Sequence, residues 1–250
     1  MKKIYLKFSI VLLSSFTNIN AQTYNYYYGN IHSQTSYSDG NQDSATSLIT
    51  KPIQAFNYAK NSQHIDFYGI SDHNHASAGM SSLASYRQGI ADANLVNNDG
   101  SFVAMYGFEW GVISGGGHVI VYGSDSLMGW DNGLFDIYVP QSDYATLWKK
   151  VKARPNTFAY LCHPNTSDFG GILTTAVNSS ADSAIVGMAG KSGPAFSTNT
   201  TYSDPSTSTG FITQYNYALR QGYHVGIGLD HDTHKSVFGR QTAGRLVVLA

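Results

Sequence analysis

The 250-residue sequence contains a single cysteine, Cys162, so the chain cannot form an internal disulfide. This excludes a small domain held together by disulfides, and a chain of this length can bury enough apolar surface to be stable without them. A zinc cage built from several thiolates is excluded for the same reason. With 42% hydrophobic and 13% aromatic residues, the composition is that of a globular chain with one barrel-sized domain or two small ones.

Charged residues are also scarce, at 12% of the sequence, and the formal net charge is −1. A nucleic-acid-binding surface needs an excess of basic residues on one face, so no nucleic-acid partner is expected. A small-molecule substrate that carries negative charge would have to be held by bound metal ions or by a few local side chains.

Long apolar runs are lacking as well, because the apolar stretch at residues 8–13 is too short to span a bilayer. It follows Lys2, Lys3 and Lys7 and precedes small and polar residues that end at Ala21, which is the layout of a secretory signal peptide. A buried N-terminal helix is the alternative. Cleavage after Ala21 would leave residues 22–250 as a single domain of formal charge −4 with no membrane span. The sequence therefore predicts a bacterial protein that is exported to the periplasm or secreted.

Seven short apolar runs recur along the rest of the chain. They are YNYYYGNIHS, IDFYGISDHN, SFVAMYGFEW, HVIVYGS, TFAYLCHPN, AIVGMAG and YHVGIGLDHDTH. Most of them lack strict alternation of polar and apolar residues, as expected of strands that are buried on both faces in a parallel sheet.

Helical spacing of apolar residues separates several of these runs. The segments concerned are residues 44–62, 80–97, 143–154 and 210–222. Between EWGVIS, at the end of the third run, and HVIVYG of the fourth, only three glycines intervene, which predicts a hairpin or a sharp chain reversal there. Repeated alternation of strands and helices predicts an α/β barrel or an open parallel sheet. The stretch 196–209, rich in Ser, Thr and Asn, is the best loop candidate, either as a functional loop or as a tolerated surface insertion.

Most of the apolar runs end in histidines or carboxylates. These residues are His32, Asp39, Asp72, His73, His75, Glu109, His118, His163, Asp230, His231, Asp232 and His234. In α/β barrels the carboxyl ends of the strands face one shared crevice, so distant ligands can converge there. Burying so many ionisable groups together is costly unless cations neutralise them. The pattern predicts two or three divalent ions, with Zn²⁺, Mn²⁺ or Fe²⁺ suited to histidine and carboxylate ligands.

At these positions the sequence resembles the polymerase and histidinol phosphatase (PHP) family of metallophosphoesterases. The family opens with H-x-H-T-x-x-S-D-G, and residues 32–40 read HSQTSYSDG, which differs at the second histidine. The later matches, in order, are ISDHN at 70–74, Glu109 in GFEWG, His118, His163 before Pro164, and DTH at 232–234. The DHN form also resembles the extracellular branch of the family, which includes proteins similar to carbaryl hydrolases.

The resemblance implies a distorted seven-stranded (β/α) barrel with the metal site at the C-terminal ends of its strands. By analogy, His32, Glu109 and Asp232 would hold one ion, Glu109 would bridge to a second ion held by His118 and His163, and Asp39, His73 and His234 would hold a third. Gln34 stands where a further histidine ligand of the first ion is expected, and its neutral carbonyl is a weaker ligand than imidazole.

The activity that the resemblance implies is hydrolysis of a small-molecule phosphoester by metal-activated hydroxide. Carboxyl or carbamate esters are the alternative substrates, as in the extracellular branch. Gln34 motivates a third alternative, a catalytically weakened protein that binds metal or another ligand.

Further residues are candidates for supporting roles. His75 is expected to protonate the leaving group or to contact the substrate, and Asp230 and His231 are expected to orient the ligands that follow them. Lys191 and Arg240 follow the sixth and seventh runs and are candidates to stabilise a transferring phosphoryl group, with a solvated surface charge as the alternative.

Cys162 lies next to His163, and neighbouring residues of a strand point to opposite faces. If His163 faces the metals, Cys162 is expected to face away and to pack in the core. The chain ends in the apolar run GRLVVLA, whereas the resemblance implies that further chain follows.

Overall fold

The computed structural model describes residues 23–198 and 209–250. The signal peptide predicted over residues 1–21 lies outside the described residues, as does most of the predicted loop 196–209. Within the described part of the chain, none of the helices has the length and apolar character that a membrane span requires.

The described residues form eleven strands. They are β1 (Tyr26–Asn30), β2 (Phe67–His73), β3 (Val103–Trp110), β4 (Val119–Tyr122), β5 (Met128–Gly129), β6 (Ile137–Tyr138), β7 (Phe158–Leu161), β8 (Ile185–Ser192), β9 (Thr209–Gly210), β10 (Gly226–Asp230) and β11 (Leu246–Leu249). The seven predicted runs correspond to β1, β2, β3, β4, β7, β8 and β10.

Seven α-helical segments accompany the strands in the described part of the chain. They are α1 (Ser44–Ser47), α2 (Pro52–Gln63), α3 (Leu83–Val96), α4 (Tyr144–Lys152), α5 (Asp168–Gly171), α6 (Ser179–Ala184) and α7 (Ile212–Gln221). The four predicted helical segments correspond to α2, α3, α4 and α7. Local signals explain where some of them begin: Pro52 occupies the first turn of α2, and Ser82 caps α3 by accepting a hydrogen bond from the Ser85 amide.

The main sheet runs in the order β10-β8-β7-β4-β3-β2-β1-β11, with β9 attached to β8. Neighbouring strands in this sheet are parallel, with the following exceptions. Strand β4 is antiparallel to both β3 and β7, β11 is antiparallel to β1, and β9 is antiparallel to β8. The reversal at β4 confirms the hairpin predicted from the three glycines. The main path contains eight strands against the predicted seven, because the run at residues 246–249, which follows no predicted helix, adds β11.

The sheet is nearly closed into a barrel. Ser33, just beyond β1, bridges in parallel to Thr233, just beyond β10, and the Gln34 amide donates to the Thr233 carbonyl at 2.8 Å. Closure therefore occurs at the C-terminal ends of the two strands, where residues separated by 200 positions become neighbours.

The core has two parts, one between the sheet and the helices and one inside the barrel. The interior part consists of Ile31, Phe67, Ile120, Tyr122, Tyr160, Cys162, Ala189 and Phe211. Gly69 makes room for one of these rings, since a Cβ there would lie 2.4 Å from the Tyr122 hydroxyl, which donates to the Ile31 carbonyl. These side chains fill the barrel beneath the C-terminal ends of its strands.

Candidate metal centre

The nine predicted metal ligands lie together at the C-terminal end of the barrel. Seven of them line a cavity of about 450 Å³: Asp39, His73, Glu109, His118, His163, Asp232 and His234. The other two, His32 and Gln34, are fully buried beside Glu109.

Glu109, near the end of β3, is in the middle of the cluster. Its Oε1 lies 2.7 Å from Nδ1 of His118 and 3.1 Å from Nε2 of His163, and its Oε2 lies 3.0 Å from Nε2 of His32. Burial alone would raise the pKa of Glu109, but its interactions with the imidazoles of His32, His118 and His73 hold it well below its usual range. Glu109 is therefore ionised and faces imidazoles with both oxygens.

Two aspartates complete the set of carboxylates. Asp232 Oδ1 lies 3.1 Å from His32 Nε2 and 3.6 Å from His234 Nδ1. Asp39 Oδ1 lies 3.5 Å from His234 Nε2 and 3.7 Å from His73 Nε2. Burial acts to raise the pKa of Asp232, but the charge of His32 and its hydrogen bond lower it. Both aspartates thus share His234, which lies between them.

The histidines of the centre differ in their tendency to hold a proton. Burial lowers the pKa of His73 to about 4. Burial also acts to lower the pKa of His234, but the hydrogen bond to Asp39 and the charge of Asp232 outweigh it and raise that pKa to about 9. For His32, burial is outweighed by the charges of Asp232 and Glu109, and its pKa is raised. Carboxylates thus hold protons on some of the nitrogens that a metal ion would use.

Gln34 occupies the position at which the family pattern has a histidine. Its side-chain nitrogen lies 2.5 Å from Glu109 Oε2, and its side-chain oxygen accepts a hydrogen bond from Ser38 Oγ at 3.3 Å. A neutral amide therefore hydrogen-bonds to the central carboxylate where an imidazole would stand as a ligand.

Two of the predicted ligands have a backbone conformation that is uncommon outside glycine. The φ angles are +28° at His163 and +52° at Asp232, and each residue lies just past the end of its strand. Such conformations cluster at functional sites, where the surrounding structure maintains them. Here the positive φ angles occur where the chain leaves β7 and β10, and the two side chains line the cavity.

The expectation that Cys162 faces away from the centre is wrong. Its Sγ lies 3.4 Å from Glu109 Oε1 and 3.1 Å from the His118 carbonyl oxygen. Strand alternation does not relate Cys162 to His163, because β7 ends at Leu161 and the chain turns at His163. The expected packing is present, since Cys162 belongs to the barrel interior.

Asp72 and Asp230 support the ligands without lining the cavity. Asp72 accepts hydrogen bonds from the Thr35 amide at 2.6 Å and from Ser38 Oγ at 2.7 Å, which fixes the loop after β1. Asp230 accepts a hydrogen bond from Ser192 Oγ at 2.6 Å and lies 3.4 Å from Nδ1 of His32. Asp230 therefore lies beside the predicted ligand His32, and its expected role towards the ligands that follow it in sequence stays a prediction.

The remaining candidates do not line the cavity, although the ring of His75 lies 5.6 Å from the ring of the predicted ligand His73. His231 Nε2 is 2.9 Å from the Gly244 carbonyl oxygen, so the ring points out of the centre. His75 Nδ1 is 2.6 Å from Ser77 Oγ, and its ring stacks on Trp130. His75, Lys191 and Arg240 are not among the described residues that line the cavity, and their predicted roles stay predictions.

Sequence reasoning missed the apolar residues of the cavity. Ile113, Phe196 and Phe211 line it together with Pro194 and Ala195. The ring of Phe196 lies 4.7 Å from that of His234. The one sequence signal for these apolar residues is Phe196, which stands at the start of the otherwise polar stretch 196–209.

The donor atoms fit divalent cations. Three groups have ligand atoms within 4.8 Å of one another: His32, Glu109, Cys162 and His163; Asp39, His73 and His234; and His73, Glu109 and His118. In addition, Asp39 Oδ1 is buried and lies 3.5 Å from Nε2 of His234 and 3.7 Å from Nε2 of His73. Nitrogen and carboxylate donors at this spacing are typical of Zn²⁺, Mn²⁺ or Fe²⁺ sites.

No family model matches the sequence, and neither does any curated protein. Among solved structures, the chain is similar to a two-domain protein from Bacteroides vulgatus that contains a predicted PHP-like metal-dependent phosphoesterase. The TM-score is 0.47, and the identity is 13% over 86% of this chain and 54% of that one. It is also similar to a proposed metal-dependent phosphoesterase from Bifidobacterium adolescentis, with a TM-score of 0.45 and 11% identity over 87% of this chain and 90% of that one. The chain spans about half the length of the first protein. Neither likeness is close enough to assign a family, so the function must be argued from the site.

Proposed function

We propose that this protein is a metal-dependent hydrolase that cleaves a phosphoester of a small molecule. The observation that supports this most directly is the position of Glu109, whose two oxygens face imidazoles on opposite sides at 2.7 to 3.1 Å. A carboxylate so placed suits the bridging position between two cations.

The residues on the two sides of Glu109 would hold different metal ions. His118 and His163 on one side of Glu109, and His32 on the other, would hold two or three ions in fixed places. When bound, such ions lower the pKa of a water molecule and neutralise negative charge on the ester oxygens. The cavity at the C-terminal end of the barrel would admit the substrate to these ions.

Export of the protein is also part of this proposal. It rests on the signal-peptide layout of residues 1–21, with Lys2, Lys3 and Lys7 before a short apolar stretch. Mass analysis of the protein recovered from the periplasm or the medium of its host would test it. A chain that begins near residue 22 is expected, and an intact N-terminus in the cytoplasm would contradict it.

The enzymatic proposal is tested by metal analysis followed by assays of aryl phosphomonoesters, phosphodiesters and carboxyl esters with Mn²⁺ or Zn²⁺. We expect turnover of a phosphoester that requires metal and falls at least 100-fold in His163→Ala. His224→Ala is the matched control, because His224 is exposed and bonds to Asp182, away from the cavity. Hydrolysis of carboxyl esters alone would overturn the choice of phosphoester.

A second candidate is hydrolysis of a neutral carboxyl or carbamate ester. It is favoured by the lack of lysine and arginine among the described residues that line the cavity.

The Gln34→His variant addresses the third possibility, a binding protein with a weakened centre. Turnover that appears only in Gln34→His would show that the natural chain binds metal without catalysing hydrolysis.

A further inference from the structure

The cavity lined by the predicted metal ligands also has apolar side chains at its mouth that are exposed to solvent. Ile113, in the short helical turn after β3, is 61% exposed, and Phe196, in the segment after β8, is 59% exposed, yet both line the cavity. Large apolar side chains left exposed at the mouth of a polar site are typical of surfaces that contact an apolar part of a ligand.

The part of the wall that carries Phe196 is held in place by backbone hydrogen bonds. The Gly193 amide donates to the Asp230 carbonyl at 2.9 Å, and the His234 amide donates to the Ala195 carbonyl at 2.9 Å. These bonds tie the segment to the chain that carries two of the ligands. The ring of Phe196 is therefore positioned beside the centre, at 4.7 Å from the ring of His234.

Basic side chains are missing from the cavity as far as the structure describes it. The described lining contains neither lysine nor arginine, and residues 199–208, which the structure does not describe, contain none in the sequence. Sites that bind dianionic phosphate groups commonly use arginine or lysine to pair with the oxygens that the reaction leaves unchanged. Here bound ions alone would have to balance the charge of the substrate as well as that of Asp39, Glu109 and Asp232.

We propose that this site selects phosphodiesters that carry an aryl or similarly apolar group over dianionic phosphomonoesters, with Phe196 and Ile113 contacting that group. The proposal rests on the proposed phosphoesterase function and names its substrate class. In the reaction, the oxygen of water bonds to phosphorus, the bond from phosphorus to the aryloxy oxygen breaks, and a proton of the water ends on the released phenol. The other product is a phosphomonoester, which has more charge and one apolar group fewer, and therefore leaves the cavity readily.

Calorimetric binding to the metal-loaded protein tests the selection, with released phenol measured in parallel so that the heat of binding is separated from the heat of hydrolysis. Calorimetry should show that diphenyl phosphate binds at least tenfold more tightly than either phenyl phosphate or dimethyl phosphate. Phe196→Ala and Ile113→Ala should each weaken binding of diphenyl phosphate about fivefold to tenfold and leave binding of dimethyl phosphate unchanged, because burial of an apolar side chain against the ligand is lost. Leu95→Ala, which truncates an exposed leucine of α3, is the matched control and should change neither.

A second measurement compares kcat/KM for nitrophenyl phosphodiesters and nitrophenyl phosphate, which share a leaving group. The diester should be preferred, and Phe196→Ala should reduce that preference. Tighter binding of phenyl phosphate, or equal weakening of all three ligands in Phe196→Ala, would overturn the selection. Absence of turnover with the calorimetric order intact would instead overturn the hydrolase function and leave the binding preference standing.

Discussion

At the scale of single residues, the charge of His234 links metal binding to pH. Its pKa is raised to about 9, against the effect of burial, by Asp39 and Asp232, so the metal-free protein holds a proton there at neutral pH. The stabilisation from this charged form is fully present below the ordinary histidine pKa of about 6.5 and is lost as the pH rises through about 9. A metal ion requires the neutral imidazole, so the proton competes with the metal.

We therefore expect metal affinity to increase between pH 7 and pH 9, with release of about one proton from His234 for each ion bound to the group of Asp39, His73 and His234. Calorimetric titration at pH 7 in two buffers of different ionisation enthalpy measures the proton count. His234→Gln removes the titrating group and should lower that count. Metal affinity that does not change over this pH range would contradict the role given to His234.

Cys162 is expected to be chemically inert in the folded protein despite its position beside the metal centre. Its side chain is fully buried, and burial and the nearby charge of Glu109 raise the pKa of the thiol well above its usual range. Because the thiolate is the reactive form, a thiol reagent should label Cys162 only after unfolding. An exposed thiol introduced by Leu95→Cys provides the comparison and should react at once. Rapid labelling of Cys162 in the native, metal-free protein would show that the site opens.

The identities of the ligands could be predicted from the sequence, but their mutual contacts could not. His32, Glu109 and Asp232 stand out because polar residues repeatedly follow apolar runs. The direction of Cys162 was misjudged because alternation holds only within a strand, and no sequence signal showed where β7 ends or that His163 adopts a positive φ. The hydrogen bond from Gln34 to Glu109 likewise depends on packing that a single sequence does not show.

At the scale of elements, the loop between β1 and α1 depends on a carboxylate of β2. Asp72 accepts four hydrogen bonds: from the Thr35 amide and hydroxyl, from the Ser38 hydroxyl and from the Tyr106 hydroxyl. His32 and Asp39 lie at either end of the part of the loop that Asp72 holds. The position of two predicted metal ligands thus depends on a residue that does not line the cavity.

Asp72→Asn should lower the free energy of unfolding by about 2 to 3 kcal/mol, because hydrogen bonds to a buried charged group are replaced by weaker or mismatched ones. It should also weaken metal binding about 10-fold to 100-fold, as does loss of a group that orients ligands. Denaturant unfolding and metal titration measure the two effects.

The control for this change is Asp143→Asn. Asp143 caps α4 through Thr146 at the surface, so its replacement should leave metal affinity unaltered. If Asp72→Asn lowers stability but binds metal as tightly as the wild-type protein, the loop does not position the ligands.

Most elements of the barrel were predictable because each has a local signal. Apolar runs of strand length predict β1, β2 and β3, and helical spacing with Pro52 predicts α2. The edge strand β11 was missed, because its four residues pair with the exposed start of β1 at a distance in sequence that no local pattern reveals. The short β5 and β6 have two residues each and lie below the length at which periodicity is informative.

At the scale of the whole molecule, the two ends of the barrel are chemically different. The C-terminal end holds the candidate metal centre, where the pairing of Ser33 with Thr233 completes the ring. At the N-terminal end, apolar side chains such as Phe67, Met105 and Ile227 line a larger cavity of about 680 Å³. The concentration of ionisable groups at one end could be predicted from strand direction alone, since parallel strands deliver their C-terminal residues to one edge.

Bound metal should therefore stabilise the entire barrel, because its ligands come from chain segments that meet only when the barrel is closed. An ion that binds only the folded state adds about 2.7 kcal/mol to the free energy of unfolding when its free concentration is 100 times its dissociation constant. For a chain of this size, that corresponds to an increase in Tm of about 5 to 10 °C per ion. Thermal unfolding with Zn²⁺ or Mn²⁺ and with a chelator measures the difference, and His163→Ala should show a smaller shift while His224→Ala keeps the full one. Equal melting temperatures with metal and with chelator would mean that the cluster of His32, Glu109 and Asp232 does not bind these ions in the folded protein.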